Sequence, residues 1–290
     1  AVIVVAVPAP VVTGSELYRI LRPCGGVLCL PGLDGTGLKS MMTGIELQPG
    51  EYRAESARIV RGKLTGALDW NSTAPNDQRL TWPLELSWFG GPGPSRLVNR
   101  HGTGVPIAAG GRFFIIGTDA LIAIDAYNGA ELWDRAMPGL VARIGTVAAD
   151  DDTVYVHHRG ECLALDAQTG RLKITYAAGA VGAGSDKVRP WAELPAYARG
   201  PVPMPKAAGG SLRENPLTGE DVVQTYRRTH GCGSFISSAT MHFFRSATYG
   251  IYDLSDDSGL RNFSGARPSC AMSMLPALGL LIAVEGSGGC

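Results

Sequence analysis

GRFFIIGTDALIAIDAYNGAELWDR (residues 111–135) is answered, after a short loop, by DDTVYVHHRGECLALDAQTGRLKITY (151–176). These are two copies of one unit. Asp125 and Asp166 stand 41 residues apart, and so do Gly129 and Gly170. Each copy reads strand, tight turn, strand, then D-A-x-x-G, then strand. Phe113, Ile115, Leu121, Ala123 and Asp125 are expected on one alternation, with Val154, Val156, Cys162, Ala164 and Asp166 in the same places. After Asp the chain turns back through N-G or T-G, where glycine can take positive φ. Trp133 follows Gly129 by four residues, and its equivalent in the second copy is Ile174.

Four short strands repeating every ~40–45 residues is the spacing of a β-propeller blade. Such a blade cannot bury both faces alone, so blades must stack. Working outward, Leu84, Leu86 and Trp88 alternate with polar residues as a half-buried strand does, and Trp88 is expected to close the preceding unit. Beyond residue 176 the period weakens. Asn215-Pro-Leu-Thr-Gly219 reads as a worn turn of a third unit. Met241–Arg245 and Tyr249–Leu254 read as strands with Asp253 and Gly259 at the turn, and Leu278–Val284 as the first strand of another unit. Four or five blades are represented, so the ring is expected to be incomplete.

The amino-terminal part has a different grammar. Residues 2–7 form an apolar run expected as a buried strand. A helix is expected over Thr13–Arg22, capped by Thr13 or Ser15 and ended by Pro23-Cys24-Gly25-Gly26. Val27–Leu30 is then a second strand, which makes a β–α–β unit. A short helix at 37–47 and a strand at 53–61 follow. The turn-rich stretch 64–82 marks a domain boundary, giving an α/β segment over 1–66 and a mainly β domain over 67–290.

The 290 residues balance 26 basic against 26 acidic side chains, which gives nucleic acid or an anionic membrane no handle. The apolar start is 12 residues long and broken by two prolines, too short to span a membrane and without the basic start of a leader. The chain has no initiator Met and reads as part of something longer. Six cysteines are present without a C-x-x-C pair. Cys24 and Cys29, in an apolar segment, are expected as small buried residues, while Cys232, Cys270 and Cys290 lie in glycine-rich loops where disulfides can form if the protein is exported.

Two resemblances follow from these residues. A-x-D-x-x-[TN]-G-x-x-x-W is the signature of the pyrroloquinoline-quinone-like (PQQ-like) propeller repeats. It is met by Ala123, Asp125, Asn128, Gly129 and Trp133, and by Ala164, Asp166, Thr169 and Gly170 with Ile174 in place of Trp. The segment SELYRILRPCGGVLCL (15–30) resembles the late portion of a class I S-adenosylmethionine-dependent methyltransferase, with Cys24 inserted before the glycines. The whole chain is similar to bacterial, planctomycete-type proteins that join the two. That resemblance implies export, in the periplasm or outside the cytoplasm, and favours pairing among Cys232, Cys270 and Cys290.

Chemistry is thinner than architecture. The quinone-binding members of this propeller class need Ca²⁺, a catalytic Asp and often a vicinal Cys-Cys pair, which this sequence lacks. Asp125 and Asp166 are accounted for as turn formers, and Trp88 and Trp133 as blade-packing aromatics. Gly32-x-x-Gly35-x-Gly37 has the wrong spacing for a phosphate cradle and reads as a loop. His157-His158 point to opposite faces of a strand. His230 with Cys232, and Asp253 with Asp256 and Asp257, are weaker metal candidates than loop or turn residues. No catalytic, cofactor-binding or metal residue is assigned, and neither bound PQQ nor a bound methyl donor is expected on this chain. The expectation is a non-catalytic propeller that binds a protein or polymer. The alternatives are a methyltransferase that uses the propeller to select substrate, and a quinone-dependent dehydrogenase.

Overall fold

A computed structural model describes residues 2–4, 12–30, 32–70, 77, 79–98, 106–141, 146–177, 212–214, 219–223, 236–253, 259–263, 268 and 274–283. The chain divides into two compact units, Ala1–Thr65 and Gly66–Cys290.

In the first unit β1 (Val2–Val4) lies parallel to β2 (Val27–Cys29), and α1 (Gly14–Ile20) connects them. The Thr13 hydroxyl accepts from the Glu16 amide at 3.3 Å and starts the helix. Seven residues are too few to hold a helix alone. Its place is fixed by Leu17 and Leu21, buried with Leu28, Leu38 and Ile59. Cys24 stands at φ 57 and Gly25 at φ 109, so the residue inserted before the glycines takes a left-handed conformation that glycine adopts more easily.

The second helix, α2, spans Gly35–Met41, starting earlier and stopping sooner than the sequence suggests. The strand expected at 53–61 is instead a hairpin of β3 (Tyr52–Arg53) and β4 (Arg58–Val60), because Ala57 turns left-handed at φ 42. Antiparallel β4 inserts between β2 and β3, giving the order β1-β2-β4-β3.

The second unit is built of antiparallel sheets. The first blade is β5 (Ile107–Ala109), β6 (Arg112–Gly117), β7 (Ala120–Asp125) and β8 (Glu131–Ala136). The next is β9 (Val147–Ala149), β10 (Thr153–His158), β11 (Glu161–Asp166) and β12 (Leu172–Tyr176). A hairpin of β13 (Leu212–Glu214) and β14 (Asp221–Val223) follows. A third four-stranded blade is β15 (Ile236–Ser237), β16 (Met241–Ser246), β17 (Thr248–Asp253) and β18 (Leu260–Phe263). A last hairpin pairs β19 (Met274–Ala277) with β20 (Leu280–Ala283).

The expected alternation holds within each strand but not across the turn. A two-residue turn at Thr118-Asp119 sets Gly117 opposite Ala120, so Phe113 faces Ile124 and Ile115 faces Ile122. Leu121 and Ala123 face Ile116 and Phe114 on the other side of the sheet. In the second copy Val154 and Val156 share a face with Leu165 and Leu163, while Cys162 and Ala164 stand opposite His157 and Tyr155. Both faces of the first blade are buried. Phe114, Ile116, Leu121 and Ala123 pack against Val154, Val156 and Leu165 of the second. Phe113, Ile115, Ile122 and Ile124 pack against Leu275, Ala277 and Ile282 of the last hairpin.

That hairpin corrects two expectations. Leu278 is a turn residue at φ 59 rather than part of a strand, and β19 precedes it through Pro276. Its other side, through Met274 and Leu281, meets Met241, Phe243, Tyr249 and Ile251. The last hairpin in sequence therefore lies between the third four-stranded blade and the first. Residues 84–88 form no strand: Leu84 and Trp88 turn inward, whereas Leu86 is exposed.

Candidate functional site

The repeat residues meet at the joints between blades. Asp125 accepts the Tyr127 amide at 2.9 Å, its own carbonyl accepts from the Gly129 amide at 2.9 Å, and its amide donates to Ala130 at 2.8 Å. Asp166 accepts from the Gln168 and Thr169 amides at 3.1 and 2.8 Å and from the Thr169 hydroxyl at 2.8 Å. The Thr169 hydroxyl, more than any other neighbour, holds the Asp166 carboxyl below its ordinary range. The two aspartates close their own turns, which brings Gly129 to φ 73 and Gly170 to φ 68.

Onto each turn comes a tryptophan from the segment before it. The Trp88 indole N–H donates to the Ala126 carbonyl at 2.8 Å, and that of Trp133 to Ala167 at 3.0 Å. The rings lie flat against the glycines: a Cβ at Gly129 would stand 2.5 Å from Trp88, and one at Gly170 2.8 Å from Trp133. Glycine is therefore needed twice over, for its φ and for the close approach. Arg135 adds a bond from its guanidinium to the Gly170 carbonyl at 2.9 Å. Arg96 spans to Glu131 at 2.6 Å and to Asp134.

The hairpin β13–β14 repeats the register of these joints. Glu214 pairs with Asp221 across it just as Ile124 pairs with Glu131 and Leu165 with Leu172, and Gly219 stands at φ 70. The residue in the tryptophan position before it, Ile174, is half exposed.

The other candidates separate. His157 is exposed, and the His158 ring is 3.0 Å from the Pro138 carbonyl. The Asp34 carboxylate caps α2 and accepts the Gly37 amide at 2.7 Å, so a carboxylate already occupies the place a phosphate would take. The Tyr52 hydroxyl donates to the Gly35 carbonyl at 2.6 Å and so packs the hairpin onto the start of α2. Asp253 is buried, 3.9 Å from Arg261. Asp256, Asp257, His230, Cys232, Cys270 and Cys290 lie outside the described residues. Among the described residues no three His, Cys, Asp or Glu side chains converge as metal ligands. Cys29 and Cys162 are free thiols, and Cys24 and Cys29 are half-buried rather than buried as expected, because Cys24 stands in the turn before β2 and Cys29 points to the opposite face of β2 from Leu28 and its cluster. One carboxylate oxygen each of Asp125 and Asp166 is engaged by amides of its own turn.

Two buried carboxylates escaped the sequence reading. Glu51 accepts from the Tyr18 hydroxyl at 2.8 Å and from the Gln48 and Gly62 amides at 2.8 and 2.5 Å. Asp77 is the other. Both bind mainly backbone amides, which leave no signature in the residues around them.

A family model described as outer membrane protein assembly factor BamB matches residues 58–225. The match begins in β4 of the first unit and runs through the first two blades to just past β14. No curated protein matches the chain. Among solved structures, the quinohemoprotein alcohol dehydrogenase of Pseudomonas putida is 16% identical over 59% of this chain and 21% of its own, with a TM-score of 0.26. That of Comamonas testosteroni is 16% identical over 56% and 20%, with a TM-score of 0.23. BamB from Moraxella catarrhalis is 14% identical over 64% and 47%, with a TM-score of 0.22. The chain thus spans about a fifth of the length of the two dehydrogenases and under half that of BamB. No helix among the described residues is long and apolar enough to cross a membrane.

Proposed function

The chain belongs to the PQQ-like repeat family described as outer membrane protein assembly factor BamB, and on that premise we propose that it is a non-catalytic propeller module that binds a protein partner. One observation carries this reading. The polar groups that define the repeat are consumed in closing its turns, through the aspartates, and in joining blades, through the indoles, so the repeat supplies architecture and leaves its surface for recognition. That surface includes large apolar side chains: Phe89, 92% exposed, in the segment before the first blade, and Leu132 and Ile174 on the edge strands β8 and β12. A photo-crosslinking residue placed in turn at Phe89, Leu132 and Ile174 in cells should give a discrete crosslinked product from at least one position. No product at any of the three would overturn the reading.

A second reading concerns the first unit. The passage from α1 through Pro23–Gly26 into β2, parallel to β1, supports its assignment as the carboxy-terminal half of a methyltransferase-like domain. On this reading the methyl-donor site lies in sequence before Ala1, and the propeller selects the substrate. Calorimetric titration with S-adenosylmethionine decides it. Binding by a form extended before Ala1, but not by this chain, supports the reading; binding by neither refutes it. Quinone chemistry is our least favoured alternative, and an absorbance scan after adding PQQ and Ca²⁺ should find no bound chromophore. Export is likewise our proposal, resting on the resemblance. Non-reducing peptide mapping should then find a disulfide among Cys232, Cys270 and Cys290, and three free thiols there would count against it.

A further inference from the structure

The start of the second unit does not run with the repeat; it runs across the last hairpin. Leu80 and Leu84 pack with Met241, Phe243, Ile251 and Met274, whereas Trp88, a few residues on, packs with Leu275 and Ala277. Arg261 of β18 lies 4.5 Å over the Trp82 ring, and the Thr240 hydroxyl donates to the Leu80 carbonyl at 3.3 Å. Residues 80–88 and the hairpin β19–β20 thus share one place between the third four-stranded blade and the first. They form one composite blade drawn from distant parts of the unit.

We propose that Asp77 is the clasp that closes this blade, and that the hairpin β19–β20 is the first element to open when the clasp is lost. Asp77 is 1% exposed. One carboxylate oxygen accepts the Leu68 amide at 3.0 Å and the Gly279 amide at 2.9 Å, the second from a residue 202 positions away. The other oxygen accepts the Arg79 amide at 2.9 Å. Its backbone carbonyl takes the Ala239 amide at 3.1 Å, in the turn between β15 and β16. Gly279 is held in turn by its neighbour: the Leu278 amide donates to Leu68 at 2.7 Å, and the Leu278 carbonyl accepts from the Tyr127 hydroxyl at 3.0 Å. The carboxylate therefore binds the beginning of the unit and the final hairpin, while the backbone carbonyl of the same residue holds the third four-stranded blade. Donors aimed at a buried carboxylate are costly to leave unanswered, so its removal acts on the beginning of the unit and on the final hairpin together.

Asp77→Asn keeps the shape but turns one acceptor into an N–H that opposes an amide. Hydrogen exchange read by mass spectrometry should show peptides covering 274–283 exchanging about tenfold faster, with peptides over 112–125 and 153–166 at wild-type rates. No change, or equal acceleration everywhere, would overturn the clasp. If Asp77→Asn does not fold, the wild-type protein still decides. In rising sub-denaturing urea the Leu68, Arg79 and Gly279 amides should join one opening with a common slope, and three separate slopes would refute a shared acceptor.

Discussion

The indole of Trp133 lies where a side chain at Gly170 would begin, 2.8 Å from the Cβ that glycine lacks. The same relation joins Trp88 to Gly129 in the joint before it. The repeat is thus a lock between blades: the turn of one blade presents a flat glycine and a carbonyl, and the previous segment supplies an indole that fits both.

Gly170→Ala should therefore destabilise the second unit by about 2 kcal/mol or more, since it adds a left-handed penalty to a clash with an aromatic ring. Trp133→Phe keeps most of the apolar contact but loses the bond to Ala167, for about 1 kcal/mol. Trp133→Ala should cost about 3 kcal/mol. Urea titration followed by far-ultraviolet circular dichroism gives the order. Equal losses for the Phe and Ala variants would mean that the bond, not the ring, holds the joint.

The lock was legible in the sequence because its parts recur at fixed spacing. Asp125, Gly129 and Asp166, Gly170 mark the turns, and Trp133 marks the docking residue. What could not be read were relations that sequence order does not encode. The pairing of Phe113 with Ile124 depends on the length of a turn, and a two-residue turn exchanges the faces that a simple alternation assigns. Every residue from Phe113 to Ile116 is buried, so apolar pattern alone could not choose between faces. The inner strands Ile107–Ala109 and Val147–Ala149 went unnoticed because they are short and made largely of alanine. Asp77 was invisible because its partners are amides, one of them 202 residues away.

The third joint offers a gain-of-stability test. Gly219 keeps the docking conformation at φ 70, yet the residue in the tryptophan position is Ile174, half exposed. Ile174→Trp should raise the melting temperature by a few degrees if the indole finds a carbonyl as Trp88 and Trp133 do, about 1 kcal/mol for the bond alone. A fall in melting temperature would show that the third turn does not face this strand.

Asp166 gives a pH dependence with a definite sign. Its carboxyl is held below the ordinary range by Thr169, so the folded state binds its proton less readily than the unfolded chain. The stability this contributes is present above the unfolded value of about 4 and is lost as pH falls through the folded one. Asp166→Asn should lose stability at pH 7 and close the gap to the wild type as pH drops from about 4 toward 2. A gap that stays constant would remove the charge from the argument and leave only shape.

Cys162 tests burial on one face of the second blade. It is enclosed with Tyr155 and Ala164, and burial pushes its thiol up to about 11. Alkylation at pH 8 should modify it only on unfolding, since neither access nor thiolate is available in the folded blade. Mass mapping after a timed pulse of iodoacetamide reads this directly. Labelling of Cys162 as fast as in denatured protein would place it at the surface.

The first unit carries the opposite titration. Loss of water around the Tyr18 ring, and then its bond to Glu51, push the Tyr18 hydroxyl up to about 12. The unfolded hydroxyl ionises near 10, so its contribution is fully present below that value and is lost as pH rises toward the folded one. The Arg61 guanidinium, 4.9 Å over the same ring, opposes this shift without reversing it. Tyr18→Phe removes the hydroxyl and with it the dependence. The stability difference between wild type and Tyr18→Phe should be about 1 kcal/mol at pH 8 and should shrink between about pH 10 and 12. Other tyrosines and lysines titrate alike in both proteins and cancel. If the difference holds steady through that window, Glu51 is kept in place by the Gln48 and Gly62 amides alone, and Tyr18 is a bystander to the buried carboxylate.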